Sequence, residues 1–115
     1  MSVYRCDYII YGYKLPWAKE LSGNLREEDS ESWKYFDGGV GDYHLIIDQM
    51  GTQYIVFGYV MYSNDYYANE AEEAFMEFDE VKTNYRKRDL DHHYYQAFGK
   101  APEMEAKSFA FSHIY

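Results

Sequence analysis

The sequence predicts an α+β domain, a small and mainly antiparallel sheet with a central hairpin at about 42–62 and helices packed on one face. Three observations carry that prediction. Two runs, YIIYGYKL at 8–15 and YIVFGYVM at 54–61, repeat the pattern Tyr-Ile-aliphatic-aromatic-Gly-Tyr and are rich in residues suited to strands. The stretch DYHLIIDQMGTQYIVFGYVMYSND sets two such runs on either side of a tight connection containing Gly51, the signature of a hairpin. Further along, apolar residues recur at helical spacing. With 115 residues the chain is long enough to bury roughly two-thirds of its unfolded surface, which fits one domain over 1–115.

Taken in order, VYRCDYIIYGYKL is too rich in Ile and Tyr for a comfortable helix and reads as a strand over about 3–14, ended by Pro16. In PWAKELSGN, Pro16 opens a short helix of one or two turns, with Trp17 and Leu21 on one face and Gly23 as its stop. LREEDSESWKYFDGGVGD reads as a loop with one helical turn around Glu31 to Phe36, punctuated by Gly38, Gly39 and Gly41. The hairpin strands fall at about 42–49 and 53–62. In the second, Tyr54, Val56, Gly58 and Val60 alternate with Ile55, Phe57, Tyr59 and Met61, so neither face is polar. Such a strand belongs in the middle of a sheet with both faces covered.

From Asn69 the period changes: Ala71, Ala74, Phe75 and Phe78 suit an amphipathic helix capped by Asn69, against a rival strand through AFMEFDEV. A second helix at about 86–98 follows from Leu90, His93, Tyr94, Ala97 and Phe98, with Gly99 as a left-handed cap. The alternation in SFAFSHIY predicts a last short strand at an edge of the sheet.

Twenty acidic against eleven basic residues give a net charge of −9, which disfavours direct binding to nucleic acid or to anionic membranes. The acids concentrate: Asp65 to Glu80 holds seven and no base, whereas Lys82 to Arg88 holds four bases and no acid. No run approaches the roughly 18 apolar residues of a membrane span, and the start MSVYRCDY lacks a signal-peptide pattern, so a cytoplasmic protein is expected.

Motifs of catalysis are few. There is no phosphate loop, no Gly-x-Ser-x-Gly elbow and no Cys-x-x-Cys. Asp89 and His93 would share a helix face at i, i+4, but two ligands do not hold a metal, and His92 points about 100° away. The single Cys6 reads as a small buried hydrophobe. DGGVGD is flanked by acids and precedes a strand, unlike a phosphate-cradling loop, which precedes a helix. No carboxylate pair stands out for acid/base work. A non-enzymatic protein with no cofactor and no metal is therefore expected.

Tyrosine is the informative excess. Fifteen are too many for the core of so small a domain, and YSNDYYANE and HHYYQAF place several where a surface or rim is expected. Tyr rings give rigid contact area at little entropic cost. Beside the acidic run they point to a basic protein partner, or one that itself binds nucleic acid, met by Tyr62, Asp65, Tyr66, Tyr67, Glu70, Glu73 and Glu77. In its general character, short, acidic, Tyr-rich and without catalytic motifs, the chain resembles the small accessory proteins of tailed bacteriophages that take over host functions or counter host defence, anti-restriction and anti-CRISPR inhibitors among them. The resemblance implies an inhibitor or modulator of a bacterial protein, acting in the bacterial cytoplasm. DNA mimicry is not expected, since the acidic run gives way to a basic one.

An alternative is a small-ligand or nucleotide-binding, sponge-like protein. Here Tyr8 and Tyr54 would rim a groove opened by Gly12 and Gly58, and Arg86, Lys87 and Arg88 would meet phosphates. Glycine in mid-strand marks a bulge or a close approach, and a core helix or an aromatic ring is expected to fill that groove. Homodimerisation through an exposed strand or a Tyr face is compatible with either reading.

Overall fold

A computed structural model describes residues 2–49, 51–69 and 81–114, with side chains described for 5–49, 51–64 and 81–113. The elements are β1 (Ser2–Leu15), α1 (Lys19–Leu25), α2 (Glu31–Phe36), β2 (Tyr43–Asp48), β3 (Tyr54–Asn69), α3 (Lys87–Phe98) and β4 (Lys107–Ile114). The four strands form one antiparallel sheet in the order β2-β3-β1-β4, so the two echoing runs are its central strands. This is the small α+β fold expected, with β4 at an edge.

Packing follows strand parity. Tyr13, Leu15, Leu45, Ile47, Ile55, Phe57 and Tyr59 point to the face that carries the helices and are buried there with Leu25 and Tyr35 of α1 and α2 and Leu90, Tyr94 and Ala97 of α3. Hydroxyls tie these layers together. Tyr13 donates to the Asp91 carboxylate, Tyr35 shares a 2.9 Å hydrogen bond with His93 Nδ1, and Ser32 donates to the Leu25 carbonyl at 3.0 Å. Burial, together with the Asp91 carboxylate, pushes the Tyr13 phenol well above its usual range, so it stays a donor.

Several boundaries differ from the sequence reading, each for a local reason. Gly23 lies inside α1 and does not stop it; the helix runs to Leu25 and ends at Arg26. The second hairpin strand continues past 62 to Asn69, because the β-rich start of β1 pairs with Ser63–Asn69 and outweighs their weak strand propensity. Asn69 is the last residue of β3, and the helix or strand expected beyond it falls at 70–80, outside the described residues. α3 begins at Lys87, and Gly99 caps it at φ 74° with its N–H donating to the Tyr95 carbonyl at 2.8 Å. Gly51 takes φ 54° in the hairpin turn.

One extra residue interrupts the β1–β3 ladder: Ile9 pairs with Tyr62 but Ile10 pairs with Val60, leaving Met61 as a bulge. Its freed carbonyl accepts from the Lys82 N–H at 2.8 Å, which docks the chain leading into α3. Beside the bulge, Gly12 and Gly58 are direct cross-strand partners. A Cβ on Gly12 would stand 2.1 Å from the Phe57 carbonyl oxygen, and one on Gly58 2.4 Å from that of Tyr11. The echo thus places two glycines opposite each other where the backbones come too close for any side chain.

Gly12→Ala and Gly58→Ala are each expected to lower unfolding free energy by about 3 kcal/mol, since the neighbouring atoms are backbone and cannot turn aside. Gly23→Ala, whose Cβ meets nothing within 4 Å, should raise it by about 0.5–1 kcal/mol. Urea unfolding of the three variants checks both signs, and an equal effect at all three positions contradicts the close-approach account.

Candidate binding face

The face opposite the helices is also apolar. Ile10, Ile46, Val56 and Val60 are buried on it, under Tyr8, Tyr54 and Phe111. The sheet supplies this cover by bending. Tyr54 lies four residues beyond Gly58 on β3, and His113 pairs opposite Cys6, six residues the other way from Gly12. In a flat ladder those rows would be about 33 Å apart. Instead the Tyr54 hydroxyl and His113 Nδ1 share a 2.7 Å hydrogen bond, and the Tyr54 and Phe111 rings meet edge to face at 5.5 Å. The long central strands have folded toward their glycine-bearing face, bringing β4 over the start of β3 and toward β2. Tyr8 and Tyr54, expected to rim a groove at Gly12 and Gly58, both meet the Phe111 ring, and against Gly58 itself lies the side chain of Ile10.

Among the described residues, three cavities bear on this face and its neighbourhood. One of about 410 Å³ lies between β4 and the β2–β3 turn, lined by Lys14, Gln53, Tyr54, Val56, Phe109 and Phe111 among others. A second, of about 310 Å³, runs along β2 and is lined by Tyr8, Phe36, His44, Ile46 and His113. The third, of about 380 Å³, includes His44, Met61 and Tyr62 and is crossed by the Asp42–Lys82 ion pair at 2.8 Å. His44 borders both of the smaller cavities, and its ring packs so closely on Gly39 that a Cβ there would stand 2.6 Å from it. Gly39, at φ 82°, therefore serves to seat an imidazole and not merely as a flexible link.

Burial is the main cause that holds the His44, His93 and His113 imidazoles below their ordinary 6.5, with the His92 charge adding to it at His93; Asp42, Asp89 and Asp48 respectively oppose the shift. His93 is occupied structurally, bonded to Tyr35 and stacked on Tyr43 at 4.0 Å. Among the described residues no three His, Cys, Asp or Glu side chains are grouped to hold a metal. Cys6 is buried, as expected of a small hydrophobe.

The sites read from the sequence are distributed unevenly. Tyr62 is half-buried at the third cavity. Asp65, Tyr66 and Tyr67 belong to the paired part of β3, opposite Cys6, Arg5 and Tyr4, while Glu70, Glu73 and Glu77 fall outside the described residues. Tyr8 and Tyr54 are brought together through Phe111, and Gly12 and Gly58 lie on the same face. Arg86 and Arg88 stand at the start of α3, which packs on the other face, so the sheet separates them from Tyr8 and Tyr54. Of the tyrosines whose side chains are described only Tyr95 is exposed, at 56%, and Tyr94, expected at a rim, is core. Among the described side chains, Tyr13, Tyr35, Tyr43, Tyr59 and Tyr94 build the interior. Nothing in the sequence marks Lys14, Phe109 and Phe111 as cavity residues; the alternation in SFAFSHIY puts both Phe on one face, but only the bend tells which cavity they meet.

The chain matches no protein-family model, no curated protein and no solved structure. None of the described helices is long and apolar enough to cross a membrane.

Two outcomes follow from the imidazoles. With folded-state values lowered, the unfolded chain binds more protons below about pH 6.5, so stability is complete above that pH and declines as pH falls through it. The urea midpoint should be lower at about pH 5.5 than at about pH 7.5, with a smaller difference in His113→Gln. Tyr54→Phe should cost about 1 kcal/mol at neutral pH by removing the bond to His113; a neutral effect in the same urea titration would mean that the bond does not hold the bend.

Proposed function

We propose that the chain is a non-enzymatic protein-binding module that captures a basic partner through the acidic, tyrosine-bearing stretch beginning at Tyr62. The observation that supports this most is the continuation of β3. Asp65, Tyr66 and Tyr67 are held in the ladder with β1, so this part of the stretch is anchored to the central strands. A partner meeting it loses little backbone entropy on the chain's side. The net charge of −9 favours a basic partner and speeds its capture. Several buried polar groups are engaged in structural bonds, Tyr13 with Asp91, Tyr35 with His93, and Asp7 with Arg5 and Ser112, which favours a binding role over catalysis. In its narrower form the module is an inhibitor or modulator of a bacterial protein, acting in the host cytoplasm like the phage accessory proteins it resembles. The nucleotide-sponge alternative finds less support, because its aromatic and arginine halves lie on opposite faces.

Affinity capture from bacterial lysate should enrich a basic protein at about 0.1 M salt and release it near 0.5 M, where charges are screened within a few ångströms. The quadruple variant D65N/E70Q/E73Q/E77Q, melting at the same temperature as the parent, should lose it. Undiminished capture by that variant, or no enrichment even at low salt, would falsify the proposal.

A further inference from the structure

The cavity between β4 and the β2–β3 turn differs from the rest of this acidic molecule in its charge. Tyr54, Val56, Phe109 and Phe111 give it apolar and aromatic walls, Thr52, Gln53 and Ser112 add neutral polar groups, and among the described residues its only charged lining residue is Lys14. Lys107 joins it by register. Lys107 pairs directly with Gly12, and Lys14 stands two residues along on the same face, which makes the two lysines diagonal neighbours roughly 7–8 Å apart. Between them Gly12 projects no side chain. Both lysines are exposed, and neither makes an ion pair among the described residues, whereas Lys34, Lys82, Lys87 and Lys100 each face a carboxylate. Asp48, which accepts a hydrogen bond from Thr52 at the turn, does not line the cavity. In a chain of net charge −9, a largely apolar and aromatic hollow with two lysines at its side, and among the described residues no acid in its wall, is complementary to an anion with an apolar body.

We propose that this cavity binds a small amphipathic carboxylate, a molecule whose apolar or aromatic body packs against Tyr54, Val56, Phe109 and Phe111 while its carboxylate meets Lys14 and Lys107. The volume of about 410 Å³ suits a bicyclic body. Aromatic walls favour a flat ring, and lysine ammoniums reach a carboxylate as flexible point charges without demanding a fixed angle. The residues that line the site are not those of the protein-binding reading, so the two are tested independently.

The test is titration of the full chain with 2-naphthoate, followed by amide chemical shifts. 2-Naphthalenemethanol serves as the uncharged counterpart and inorganic phosphate as the anion without an apolar body. Saturable shifts confined to 52–56 and 107–112 are expected. They should need about ten-fold more ligand in the Lys14→Gln/Lys107→Gln double variant, and about ten-fold more of the alcohol than of the acid in the parent chain. Because both lysines are exposed, the double variant should unfold at the parent's urea midpoint. The proposal is overturned by an absence of saturation, by shifts mapping elsewhere, by equal affinity for acid and alcohol, or by unchanged affinity in the double variant. Saturable binding of phosphate alone at these residues overturns it too. So do concentration-dependent shifts there without ligand, which would mean that a second copy of the chain occupies the cavity.

Discussion

The closest constraint in the molecule is the cross-strand pair Gly12–Gly58, where a Cβ on either residue would collide with the backbone of the opposite strand. Everything on the glycine-bearing face depends on it. Strands of 14 and 16 residues are long for a small domain and would leave a flat ladder with one apolar face bare. Close approach at the glycines, next to the Met61 bulge, allows the ladder to turn inward. β4 then reaches across to supply Phe111 and His113 as cover. One sheet thus provides both the floor and part of the lid of its second core, with the helices kept for the other side.

Tyrosine gives this architecture its particular chemistry. A phenol can pack as a large ring and still answer a polar group, and the domain uses that double character at nearly every junction: β1 to α3 through Asp91, α2 to α3 through His93, β3 to β4 through His113. Stacked pairs extend the pattern, with Tyr11 on Tyr85 at 4.4 Å fixing the chain that enters α3. The interior is consequently rich in directed bonds, which select one packing arrangement more sharply than aliphatic side chains do.

Much of the fold was legible in residue patterns, and the failures have physical causes. The alternation in 54–61 and the spacing of Leu90, Tyr94 and Ala97 report local burial, and they located β3 and α3 closely. The extension of β3 through Ser63–Asn69 was not legible because it depends on a partner strand far away in sequence. Tyr94 and Tyr95 are adjacent and alike, yet one is core and the other exposed, a difference set by helix phase that composition cannot express. The candidate site was half legible: the glycines signalled close approach, and Tyr8 and Tyr54 do converge. Arg86 and Arg88 were joined to them by charge alone, with no geometric warrant, while Lys14 was passed over because its meaning depends on the bend.

The clasp between β3 and β4 joins side chains, among them a phenol–imidazole hydrogen bond and the ring contacts of Tyr54, Tyr8 and Phe111, where β3 and β4 are not neighbours in the sheet order. Contacts of this kind are worth about 1 kcal/mol each, far less than unzipping a central strand pair. The molecule therefore has two scales of opening. The cover over Ile10 and Val56 belongs to the weaker scale and the ladder beneath it to the stronger.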